Sequence, residues 1–91
     1  MLPIVKNIDT FLLHMLNLIS YVSRGKIRSA ILNILDKPMT PTQIAHRLKN
    51  HRSTISRTLL QIENKGLVNC LTPKEKTGRL YTITKKGKNT L

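Results

Sequence analysis

Two short apolar patterns, separated by only three residues, constrain this chain most. In "TPTQIAHRL" Ile44, Ala45 and Leu48 share a helical face; in "RSTISRTLLQIENKG" Ile55, Leu59 and Ile62 share another, with Thr58 beside them. Only Lys49, Asn50 and His51 lie between. Two helices joined so tightly make a helix-turn-helix. Both ends of the pair are punctuated. Thr40 is placed to cap the first helix, Pro41 takes the position where a missing N–H does no harm, and Gln43 completes a Thr-x-x-Gln capping box. Gly66 supplies a left-handed stop to the second.

After Gly66 the texture turns to β. "LVNCLT" and "RLYTIT" are strand-prone runs separated by "PKEKTG", a turn marked by Pro and Gly. Their hairpin, residues 67–84, carries Lys74, Lys76 and Arg79 at its tip, and "KKGKNTL" has room for one helical turn. Upstream, "KIRSAILNILDKP" reads as a helix with Ile27, Ala30, Ile31, Ile34 and Leu35 on one face and Pro38 as its stop. The expected fold is α+β, mostly α: a winged helix-turn-helix over residues 24–91, with an extra apolar N-terminal helix over residues 1–23.

That extra helix has more apolar surface than one core needs. Ile8, Phe11, Leu12, Met15, Leu18, Ile19 and Val22 recur at helical spacing, and Leu13 with Leu16 forms a second strip. The plain reading is a core helix. The favoured one is dimerisation through Phe11, Leu12, Met15, Leu16 and Ile19, because a chain of 91 residues cannot easily enclose a helix so apolar all round. "TFLLHMLNLISYV" is too short to span a bilayer. No signal-peptide pattern precedes it. A single cysteine, Cys70, fits a reducing compartment, so the expected location is cytoplasmic.

Charge points to a partner. There are 16 Lys+Arg against 4 Asp+Glu, a formal net charge of +12, and residues 1–23 hold only Lys6 and Asp9. The surplus lies wholly after Ser23, which favours a polyanion meeting that part of the chain. Helix 52–65 shows how. Arg52, Ser53, Thr54, Ser56 and Arg57 line its non-core sides. Ser and Thr are short enough for the backbone to enter a major groove about 12 Å wide. Arginine supplies a two-pronged contact to guanine or a charge-assisted bond to phosphate. Base-edge contacts are expected from Ser53, Thr54 and Arg57, and phosphate contacts from Arg52, helped by free N–H groups at the helix start. Lys74, Lys76 and Arg79 lie where a wing would meet the backbone or the minor groove, a narrow minor groove attracting arginine especially well. Two basic groups stay open between phosphate contact and mere solvation: Arg24, Lys26 and Arg28, and Lys85, Lys86 and Lys88.

"MTPTQIAHRLKNHRSTISRTLLQIENKGLV" followed by "GRLYTITKKG" resembles the winged-helix core of the bacterial and archaeal MarR-like transcription regulators, and is similar to related small archaeal winged-helix regulators. The resemblance covers roughly residues 24–88. It implies a homodimer on a pseudo-palindromic site, with helix 52–65 in the major groove and Arg79 in the wing. Two departures stand out. Lys49-Asn50 replaces the glycine and aliphatic residue usual in the turn. Residues 1–91 do not include the long C-terminal helices through which MarR proteins dimerise, so the N-terminal helix is the expected substitute.

Other functions have less support. Asp9, Asp36, Glu63 and Glu75 are scattered, with no acid–base pair, so no catalytic residue is assigned and no enzyme is expected. His14, His46, His51 and Cys70 lack zinc spacing, so no metal or cofactor is expected. Phe11, Tyr21 and Tyr81 are the only aromatics and form no stacking platform for single-stranded RNA. The alternatives are a winged-helix protein-interaction module and a non-specific DNA-packaging protein.

Overall fold

The computed structural model describes residues 3–91, with side chains from Thr10 onward. Five helices and one hairpin follow in order: α1 (Pro3–Arg24), α2 (Lys26–Ile34), α3 (Pro41–Leu48), α4 (Arg52–Asn64), β1 (Val68–Cys70), β2 (Tyr81–Ile83) and α5 (Lys85–Lys88). The molecule is mostly helical, with a two-stranded antiparallel sheet pairing Val68 with Ile83, Asn69 with Thr82 and Cys70 with Tyr81. α2 packs against α1, α3 and α4, while α4 reaches β1.

The core sits where these elements meet. Ile31, Leu32 and Leu35 from the α2 region, Ile44 from α3 and Ile55, Leu59 and Ile62 from α4 are buried together with Leu67, Val68 and Tyr81. Each large apolar side chain so buried contributes about 1.5–3 kcal/mol. Cys70 packs against the edge of this cluster as a small apolar group.

Leu18 and Val22 join the same core, with Met15 and Tyr21 packed at its edge. The C-terminal part of α1 is thus integral to the body. This divides the helix differently from the sequence reading. Phe11, Leu12 and Ile19, which share helical spacing with Leu18 and Val22 and were expected on the dimer face, are exposed alongside Leu13 and Leu16, and Phe11, Leu13 and Leu16 each keep about 60% of their surface (63%, 60% and 61%). Met15, expected on the dimer face, turns to the core. The Ile8 side chain lies outside the described residues. Helix spacing shows which residues share a face, but the crossing point with α2 decides how far along α1 the core extends.

Local signals are realised in detail. Gln43 N–H donates to Thr40 Oγ1 at 3.2 Å and Gln43 Oε1 accepts from Thr40 N–H at 2.9 Å, so the capping box is closed. Gly66 has φ +76 beyond the end of α4. Lys49 takes φ +54, the left-handed conformation that glycine adopts freely, and Asn50 N–H then donates to the Ala45 carbonyl at 3.0 Å. The departure at Lys49 therefore keeps a tight turn, at a conformational cost of about 1–2 kcal/mol. α2 ends at Ile34, earlier than Pro38 required. Arg24 closes α1 and does not open α2.

One connection was not foreseen. Met39 N–H donates to the Tyr81 carbonyl at 3.0 Å and Tyr81 N–H to the Met39 carbonyl at 2.9 Å, an antiparallel bridge that ties the approach to α3 onto the hairpin. A one-residue bridge after a proline leaves no alternation to read.

The Tyr81-x-x-Thr84-x-x-Gly87 spacing has a structural explanation. Thr84 Oγ1 donates to the Gly66 carbonyl at 2.7 Å and accepts from Gly87 N–H at 3.0 Å, so one hydroxyl caps α5 and holds it to the end of α4. A Cβ at position 87 would collide with the Leu67 carbonyl oxygen and crowd Ile83. These residues hold the hairpin in place.

Candidate nucleic-acid interface

α4 is built as two unlike faces. Ile55, Thr58, Leu59 and Ile62 are buried, and the Thr58 hydroxyl is satisfied by donating to the Thr54 carbonyl at 2.8 Å. Arg52, Ser53 and Arg57 are exposed, whereas Thr54 and Ser56 are half-buried at the margins. Ser53, Arg57 and Gln61, all exposed, stand at successive i, i+4 positions and so lie in one line along the helix. Gln61 is a polar member of that line which the sequence reading passed over because the arginines and hydroxyls ended at Arg57. Thr54 is less open to a partner than was expected.

The start of α4 is bare. His51 occupies the N-cap position without a side-chain cap bond, and its own N–H donates to Asn50 Oδ1 at 2.8 Å. The first-turn amides are thus available to an external acceptor. Thr42, His46, Lys49, His51 and Arg52 surround the open concavity beside the turn.

The hairpin brings its cations to the same side. A cleft of about 180 Å³ separates α4 from the 71–80 connection, and it joins Arg52 and Ser56 of α4 to Lys76 and Arg79 of the hairpin and Thr42 of α3. Lys74 is exposed on the connection but does not line this cleft. Arg79 is half-buried within the 71–80 connection, its Nε–H donating to the Glu75 carbonyl of the same connection at 2.6 Å. Burial raises the pKa of the adjoining Tyr81 hydroxyl above the usual tyrosine value, and the nearby Arg79 guanidinium opposes that rise without cancelling it.

Some basic residues have other work. The Arg28 guanidinium lies 3.9 Å from the centroid of the Tyr21 ring and donates through Nη1 to the Tyr21 carbonyl at 2.8 Å. Arg24 donates through Nε to the Ser20 carbonyl at 3.3 Å. Lys26, at the start of α2, is exposed to solvent. Lys86 is half-buried against Gly66, while Lys85 and Lys88 are exposed.

Of the residues expected to dimerise, Phe11, Leu12, Leu16 and Ile19 are exposed on α1, as is Leu13, while Met15 packs against the core. No family model, curated protein or solved structure matches the chain. Among the described residues no helix is long and apolar enough to cross a membrane, and no group of three or more His, Cys, Asp and Glu side chains converges as metal ligands would.

Proposed function

We propose that this chain is a winged helix-turn-helix of the MarR-like kind that binds double-stranded DNA in a sequence-specific way and regulates transcription as a homodimer. α4 enters the major groove, Ser53 and Arg57 face base edges, and Arg52 with Lys74 and Lys76 meets the backbone. α1 joins two copies through Phe11, Leu12, Leu16 and Ile19. The observation that carries the reading is the division of α4: four residues locked in the core, and opposite them a line of hydroxyl, guanidinium and amide groups on a rigid helix whose N-terminus is uncapped. A net charge of +12 supplies the attraction.

The test is selection of bound duplexes from a random pool, followed by a salt titration on the winner. The reading expects an enriched pseudo-palindrome whose half-sites lie about one helical turn or a multiple apart, with log K falling steeply as log salt rises. Equal binding of scrambled duplexes would leave DNA packaging as the function. No binding at low salt would leave an acidic protein partner.

A further inference from the structure

The cleft between α4 and the hairpin is a positive feature that three separate elements build together. Arg52, Lys76 and Arg79 converge on it, Ser56 and Thr42 add hydroxyls, and no Asp or Glu lines it. Cations gathered without a counter-charge repel one another, and the repulsion is relieved by an anion bound among them. The cleft, of about 180 Å³, has room for a group of phosphate size. Arg79 is already oriented for this. Its Nε–H is held by the Glu75 carbonyl of the same connection, so the side chain is tied back to the loop where it lines the cleft. An arginine so tethered is less free to reach into a minor groove beyond the hairpin.

We propose that this cleft seats a single phosphodiester of the DNA backbone, with Arg52 and Arg79 as its charged ligands and the Ser56 and Thr42 hydroxyls as its neutral ones. This assignment rests on the DNA-binding reading and changes it at one point: Arg79 sets the register of helix and hairpin on the backbone and carries no base preference. One phosphate held from both sides fixes how deeply α4 sits in its groove.

The experiment titrates dimethyl phosphate into the full-length chain, labelled with ¹⁵N, and follows the arginine Nε–H signals and the Thr42 and Gly78 amides. Saturable shifts at Arg52, Arg79, Thr42 and Gly78, absent from Arg47, and lost in both Arg52→Gln and Arg79→Gln, are expected. Arg52→Gln guards against a folding artefact, since Arg52 is exposed and outside the core. On the selected duplex, Arg79→Gln should weaken binding by the same factor whether the flanks are A·T or G·C and lower the salt slope by about one. Loss confined to A·T flanks, or uniform shifts across all arginines, overturns the seat. Shifts at the cleft without duplex binding uphold the anion seat and sink the DNA reading instead.

Discussion

The guanidinium of Arg28 rests 3.9 Å from the ring centroid of Tyr21 and bonds the carbonyl of the same residue, locking α1 to α2 across Gly25. The Lys65 ammonium, just beyond α4, lies 5.2 Å from the same centroid. The stack therefore links the exposed apolar helix to the body that carries the basic face. A Cβ at position 25 would lie 2.5 Å from Arg28 Cδ, although Gly25 has an ordinary φ of −107. Arg28→Ala should cost about 1–2 kcal/mol in urea denaturation without changing the salt slope of DNA binding. Gly25→Ala should destabilise the native chain, and much less so in an Arg28→Ala background, a coupling that a double-mutant cycle measures.

The end of the fold depends on two small residues. Gly87→Ala forces a methyl group onto the Leu67 carbonyl and should cost about 1–3 kcal/mol, as other overpacking changes do. Thr84→Val keeps the shape and removes both hydroxyl bonds, and should cost about 1–2 kcal/mol. A shift in urea midpoint at constant m-value is the signature for both.

The two sides of α1 should respond differently. Leu12→Glu combined with Leu16→Glu changes exposed positions, so the monomer should keep its urea midpoint while sedimentation shows the dimer lost. Leu18→Ala removes a core side chain and should cost about 2–5 kcal/mol whatever the oligomeric state. An unchanged sedimentation coefficient in the double glutamate variant would remove dimerisation from the proposal.

Tyr81 gives the fold an alkaline edge. Burial raises its pKa in the folded chain, so the neutral phenol is favoured there. The associated stability is fully present below the unfolded tyrosine pKa of about 10 and is lost as pH rises through the folded value. Tyr81→Phe should therefore unfold less steeply above pH ~10 than the native chain, in a pH series followed by circular dichroism.

Arg57 stands in the exposed line of α4 with Ser53 and Gln61. Arg57→Ala should cost about 1–3 kcal/mol at the selected site and relax the preference at one base pair. Gln61→Ala tests whether the line extends a turn further, by a second selection with the variant.

Local chemistry was written plainly in the residues. The Thr40–Gln43 box, the Gly66 stop and the two-faced α4 all depend on neighbours within a few positions, where spacing and side-chain type settle the conformation; the hairpin was marked by its two strand-prone runs on either side of a Pro- and Gly-bearing turn. The exposed basic residues of α4 were legible for the same reason. Contacts between distant residues were not. The Met39–Tyr81 bridge joins positions far apart in the chain, and Arg28 could be read as a phosphate ligand until the break at Gly25 folded it back over Tyr21. Arg79 and Thr42 meet Arg52 only because α3, α4 and the hairpin pack around one core. Periodicity says which side of a helix is apolar; only packing says what that side, or the charge opposite it, will touch.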